Sequence, residues 1–89
     1  MKYFEWDEAK NKKLIKERGI SFEMCVTYIK EGFLLDDIEN KSKHNHQRVF
    51  LINIEGYVYR IPYVEDDEKI FFKTAYPSSR DTKKYLESN

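Results

Sequence analysis

The segment from Gln47 to Tyr76 limits what this chain can become. Three runs rich in aromatic and β-branched residues, Gln47 to Ile54, Tyr57 to Val64 and Lys69 to Tyr76, follow one another with very little between them. Such runs read as strands. Glu55-Gly56 leaves room only for a tight turn and Asp66-Asp67 marks the next reversal, so neighbouring strands must run antiparallel, as a meander. Alternation then assigns faces. Phe50, Ile52 and Ile54 share one side of their strand, Tyr57, Tyr59, Ile61 and Tyr63 one side of theirs, and Ile70, Phe72, Thr74 and Tyr76 one side of the third. The reverse side carries Val49, Leu51, Val58, Val64 and Phe71, mixed with Asn53, Arg60 and Lys73. One side is expected beneath helices, and the other as a groove that meets a partner. Pro62 cannot donate to a ladder, so a bulge or a local edge is expected there.

The N-terminal half supplies the helices. Tyr3-Phe4-Glu5-Trp6 alternates as a short strand does, and Asp7 is placed to cap a helix running to about Arg18. Gly19 is the expected terminator, because glycine adopts the left-handed conformation just past a helix end. Ser21 caps a second helix, in which Phe22, Cys25, Val26 and Ile29 recur at helical spacing until Gly32. The two form a helical hairpin lying on one sheet face. Phe33-Leu34-Leu35 begins a strand that enters an acidic patch, and Asn40 to His46 is polar throughout and reads as a loop. At the other end Pro77 breaks the last strand, and Ser78 or Ser79 caps a short basic helix, with Ser78 and Asp81 resembling a capping box. The free N–H groups of that helix start are expected to attract an anion. The fold class is therefore α+β, in one domain spanning residues 1–89.

Composition narrows the function. Of 89 residues 40% are apolar and 16% aromatic, enough for one packed core and too ordered a composition for general disorder. No apolar run is long enough to span a membrane, and the start reads as a strand leading into a charged helix, so the expectation is a cytoplasmic protein with no membrane partner. Cys25 has no cysteine to pair with and lies among apolar neighbours, where a buried inert thiol is expected. Formal net charge is zero, yet charge is segregated. Lys10, Lys12, Lys13, Lys16 and Arg18 stand against Glu17 alone, and Lys69, Lys73, Arg80, Lys83 and Lys84 cluster near the C-terminus. Acid collects at Asp36 to Glu39 and Glu65 to Glu68. That pattern suits a basic face for nucleic acid, or simply solvated helices and acidic turns.

Few residues carry recognisable chemistry. His44 and His46 lie two apart, but a closed zinc site needs about four ligands, so no metal is expected; near-neutral imidazoles would instead move protons. Arg48, Arg60, Lys73, Arg80, Lys83 and Lys84 are the phosphate-binding candidates, since guanidinium groups clamp phosphate oxygens in pairs. The chain has no glycine-rich phosphate loop and no nucleophile elbow, which disfavours ATP-dependent and acyl-transfer enzymes, and no cofactor is expected. Metal-free RNA cleavage asks for less. Attack of a 2′-hydroxyl on its own phosphate needs a proton acceptor, a proton donor and cationic stabilisation.

The wording of the chain carries a resemblance. Phe4-Glu5-Trp6-Asp7-Glu8-Ala9-Lys10-Asn11, then Gly19-Ile20-Ser21-Phe22-Glu23, resembles the opening of BrnT-type toxins of bacterial type II toxin–antitoxin systems. Gln47-Arg48 at a strand start, the strand hairpin, and Ala75 followed by a polar, basic helix ending at Tyr85 continue it more loosely. The resemblance implies a small RelE-like ribonuclease fold, with two helices on an antiparallel sheet and a C-terminal helix. It implies cleavage of RNA, mRNA in particular and with the ribosome as a potential partner, to inhibit translation. A cognate antitoxin protein would neutralise the activity, and operator DNA would be reached only through that antitoxin. By position, Arg48 matches the arginine opening the family's third strand, Glu65 its glutamate near the following turn, and Arg80 a basic position of the last helix. The chain departs at Tyr76-Pro77, where the family usually has a basic pair.

The leading expectation is thus a metal-independent endoribonuclease. Glu65, His44 or His46 would accept the proton, Tyr76 would donate it or stack on a base, Lys73 and Arg80 would stabilise charge, and Arg48, Arg60, Lys83 and Lys84 would hold phosphates. The alternative is a non-catalytic module that binds an antitoxin or another protein through its apolar sheet face and acidic edge. A DNA-binding repressor fits less well, because no helix-turn-helix with a basic recognition helix is evident.

Overall fold

A computed structural model of the chain describes residues 2–41 and 47–87. Strand β1 (Tyr3–Glu5) leads into helices α1 (Glu8–Arg18) and α2 (Phe22–Lys30), followed by β2 (Leu34–Glu39), β3 (Arg48–Ile54), β4 (Tyr57–Glu65), β5 (Lys69–Phe72) and β6 (Tyr76–Pro77). Helix α3 (Ser79–Thr82) continues as a π-helical segment, Lys83–Glu87. Among the described residues the architecture is α+β: three helices and one six-stranded mixed sheet in the order β1-β5-β4-β3-β2, with β6 also paired to β4. No helix among the described residues is long and apolar enough to cross a membrane.

Local signals explain the hairpin of helices. Asp7 Oδ1 accepts from Ala9 N at 3.0 Å, Ser21 Oγ accepts from Met24 N at 3.0 Å, and Gly19 closes α1 with φ +70°. A polar lock then joins the helices. Asn11, 3% exposed, accepts from Phe22 N at 2.8 Å and donates to Glu23 Oε1 at 2.7 Å, so its burial leaves no unmet bond. Only Asn11 and Leu14 of α1 are buried, while α2 buries Phe22 and Cys25.

The antiparallel β3–β4 pair keeps one register from Arg48↔Tyr63 to Ile54↔Tyr57. Its turn has positive φ at both Glu55 (55°) and Gly56 (87°), the mirror-type turn whose twist suits a hairpin. Beyond this the sheet departs from a pure antiparallel meander. β1 adds to the outer edge of β5 in parallel, and β2 adds antiparallel to β3 with a register shift between Leu34 and Asp36. Pro62 carries no bulge. Its carbonyl accepts from Lys73 N at 2.8 Å, so its missing donor points to the gap where β5 has ended and β6 has not begun. Of the two expected outcomes the local edge is the one realised.

That gap also corrects a face assignment. The segment expected as one strand from Lys69 to Tyr76 is interrupted at residues 73–75, and Pro77 belongs to β6 instead of ending the strand. Alternation does not survive the interruption. Tyr76 pairs with Arg60, so it shares the face of Arg60 and not that of Phe72.

Both sheet faces are covered, unequally. Under α1 and α2, Phe50, Ile52, Ile54, Ile61, Tyr63 and Phe72 pack with Leu14, Ile20, Phe22 and Cys25. Phe72 is the hub: ring centroids of Phe4, Phe22 and Trp6 lie 5.3, 5.6 and 6.1 Å from its own. On the other face Val49, Leu51 and Val58 are buried beneath Tyr85 and Leu86 of the C-terminal segment, with Leu35 and Ile38 alongside. The face expected to be an open groove is therefore partly closed by the chain's own last helix.

Candidate functional site

The start of α3 is fixed to β4 by hydrogen bonds in place of apolar contacts. Ser78 N donates to Val58 O at 2.9 Å, and Thr82 Oγ1 accepts from Val58 N at 2.9 Å while donating to Ser78 O at 2.7 Å. Ser78 Oγ caps the helix by accepting from Asp81 N at 3.2 Å, and donates to Asp81 Oδ2 at 2.8 Å. Asp81, 4% exposed, also receives Arg60 Nη1 at 2.6 Å. Burial pushes the Asp81 carboxyl up, but the hydrogen bonds from Arg60 and Ser78 and the charges of Arg60 and Arg80 outweigh it and hold the group below the usual carboxylate range. Burial likewise opposes the charge on Arg60, and Asp81 with Tyr76 more than restores it. The anion held at this junction is the chain's own Asp81.

Between α3, β2 and the sheet lies a polar cleft of about 560 Å³. Its basic lining is Lys41, Arg48, Arg60, Arg80 and Lys84, its acidic lining Asp36, Asp37, Glu39 and Asp81, with Tyr85 beside them. Most of these groups are held. Arg48 donates from Nε to Asp37 Oδ1 at 3.1 Å and from Nη2 to Asp37 O at 2.9 Å, and Tyr63 donates to the same Oδ1 at 2.7 Å. Tyr85 donates to Asp36 Oδ2 at 2.8 Å, which lowers the Asp36 pKa and raises that of Tyr85. The Asp37 contacts raise the Arg48 pKa; burial first, then Asp37, raises that of Tyr63. Three groups differ. Among the described residues no hydrogen bond or ion pair holds the exposed Arg80 guanidinium, the exposed Lys41 ammonium or the exposed Glu39 carboxylate.

Of the residues singled out in the sequence, Arg48, Arg60, Arg80 and Lys84 converge on this cleft. Tyr76 is exposed next to Arg60 through the β4–β6 pairing. Others fall elsewhere. Glu65, at the far end of β4, is bound to Lys2 Nζ at 2.7 Å and does not line the cleft. Lys73 lies with its Nζ 5.5 Å from the centroid of Phe71, and Lys83 is exposed; neither lines the cleft. His44 and His46 lie outside the described residues. Among the described residues no group of three or more His, Cys, Asp or Glu could hold a metal ion. Cys25 is fully buried and its thiol is pushed up to about 12 by that burial, so it is no nucleophile at neutral pH.

Sequence reasoning missed the carboxylates and Tyr85. Asp36 and Asp37 read only as an acidic patch, although as neighbours on a strand they must face opposite sides of the sheet, where Asp36 meets Tyr85 and Asp37 meets Arg48 and Tyr63. Asp81 was legible as a helix cap, but its pairing with Arg60, far away in the chain, was not. In comparison with known proteins, no family model matches the chain and no curated protein matches it.

Proposed function

We propose that this chain is a metal-independent ribonuclease toxin of the BrnT type, on a RelE-like version of its α+β fold. The single observation that carries the reading is the convergence of Arg48, Arg60, Arg80 and Lys84 on one cleft beside Tyr76 and Tyr85. Arg48 and Arg60, fixed by Asp37 and Asp81, orient the RNA backbone, and the unheld Arg80 meets the reacting phosphate with Lys84. Glu39, the cleft carboxylate without a bond among the described residues, takes the proton from the attacking 2′-hydroxyl in place of Glu65. Tyr76 stacks on a base or protonates the leaving oxygen. In this reading the substrate is mRNA, free or on the ribosome, and a cognate antitoxin neutralises the protein and carries it to operator DNA.

A second reading, a non-catalytic module for an antitoxin or another protein, is favoured by one specific observation. Two of the cleft's guanidinium groups are already neutralised, by Asp37 and Asp81. Expression in bacteria separates the readings. The ribonuclease arrests growth, and Arg80→Ala, at an exposed position, relieves the arrest while leaving the protein folded. Harmless expression of folded wild type, with tight binding to an antitoxin, would overturn the ribonuclease and leave the module.

A further inference from the structure

A second basic site lies away from the cleft and shares no residue with it. A pocket of about 220 Å³ opens between α1 and the interruption after β5, ringed by Lys10, Lys13, Arg18 and Thr74. Positions 10, 13, 14, 17 and 18 recur at helical spacing, so one face of α1 presents these cations around the buried Leu14. What distinguishes this pocket is the state of its charges. Among the described residues none of Lys10, Lys13 and Arg18 forms an ion pair, whereas Arg48 and Arg60 of the cleft are both paired. Glu17 also lines the pocket and pairs with none of them. Its volume corresponds to about seven waters, enough for a tetrahedral anion and too small for a nucleobase pair.

We propose that this pocket binds a phosphate group, with Arg18 gripping two oxygens, Lys10 and Lys13 acting as point charges and the Thr74 hydroxyl as a neutral donor. The group is either a free phosphate or monoester, or a backbone phosphate of single-stranded RNA. The inference goes beyond the ribonuclease reading and does not depend on it, since it stands on α1 and Thr74 alone.

The test is a titration of the whole protein with inorganic phosphate at constant ionic strength, followed by amide NMR at Lys13, Arg18, Thr74 and Ala75. Saturable shifts are expected there. In Lys13→Ala/Arg18→Ala, both exposed positions, binding weakens about tenfold or more, because two charged hydrogen-bonding groups are gone. Lys10→Gln serves as a milder second variant and also weakens binding, and Glu17→Gln tightens it about twofold to fivefold by removing a like charge. Adding a short 2′-O-methyl RNA, which cannot be cleaved by 2′-hydroxyl attack, separates the two sources. If it shifts the same amides and competes with phosphate, the backbone is the ligand; if only inorganic phosphate shifts them, the ligand is a small phosphate. Shifts that never saturate, or that persist unchanged in Lys13→Ala/Arg18→Ala and Lys10→Gln, overturn the site.

Discussion

The two faces of the sheet are held by different forces. Under the helical hairpin, aromatic rings around Phe72 and aliphatic side chains of β3 and β4 make a continuous apolar core. Under the C-terminal segment the buried hydrophobic cluster is small, Val49, Leu51 and Val58, and Asp81–Arg60, Thr82–Val58 and Tyr85–Asp36 bonds join the segment to the sheet. Apolar burial is strong and indifferent to direction, while hydrogen bonds add little net energy and fix orientation. The first face therefore supplies the stability and the second sets where charged groups point. A site for an anion is expected on the second, where the cleft's Arg60, Asp81 and Tyr85 lie, and the cleft also takes in Arg48 and Asp37, whose register puts them on the first.

Substitutions that attack each face should separate these roles. The largest effect belongs to Phe72→Ala, which removes a ring that is 1% exposed and packs with those of Phe4, Trp6, Phe22 and Phe50; it should cost about 3–5 kcal/mol in denaturant unfolding. A loss below about 1 kcal/mol would break the contrast. Next is Asp81→Ala, which leaves the Arg60 guanidinium, with its side chain 18% exposed, unpaired, and should cost about 2–4 kcal/mol. Its pH signature follows from the lowered Asp81 pKa. The contribution is present above the ordinary carboxylate pKa and is lost as pH falls through the lower folded value, so Asp81→Asn should flatten the acid limb of the stability curve below about pH 4. An unchanged acid limb would remove Asp81 from the account.

Smaller effects sharpen the comparison. Tyr85→Phe deletes one bond to Asp36 and should cost about 0.5–1.5 kcal/mol, seen as faster amide exchange over residues 83–87 with no change under the hairpin. Exchange that rises equally on both faces would show that the C-terminal segment is no separate unit. Glu65→Ala breaks a pair whose side chains are each 36% exposed, and should cost no more than about 1 kcal/mol. It should also leave RNA cleavage unchanged, whereas Glu39→Gln should lower it; the reverse pattern would return the proton acceptor to Glu65.

Where the sequence was legible, the determinants were local. Asp7, Gly19 and Ser21 carry their caps within a few positions, and Glu55-Gly56 fixes the β3–β4 register by turn geometry alone. Pro62 announced an irregularity, and its own missing donor explains it. The rest depends on distant pairings. Nothing near Tyr3 indicates that β1 will run parallel to β5, and the interruption at residues 73–75 reverses the face of Tyr76 without a glycine or proline inside it. At the site, arginine and lysine positions were legible as phosphate candidates because their chemistry is intrinsic. Their partners were not, since Arg60–Asp81 and Tyr85–Asp36 are set by packing of the last helix on the sheet.

The most direct measurement is gel-resolved cleavage of a structured RNA by the purified protein in EDTA, with Arg80→Ala as its folded control. The account predicts cleavage by wild type that falls about a hundredfold or more when the cleft loses this charge. Cleavage that survives Arg80→Ala unchanged, or a well-folded wild type that cuts neither free RNA nor RNA on ribosomes, would contradict it.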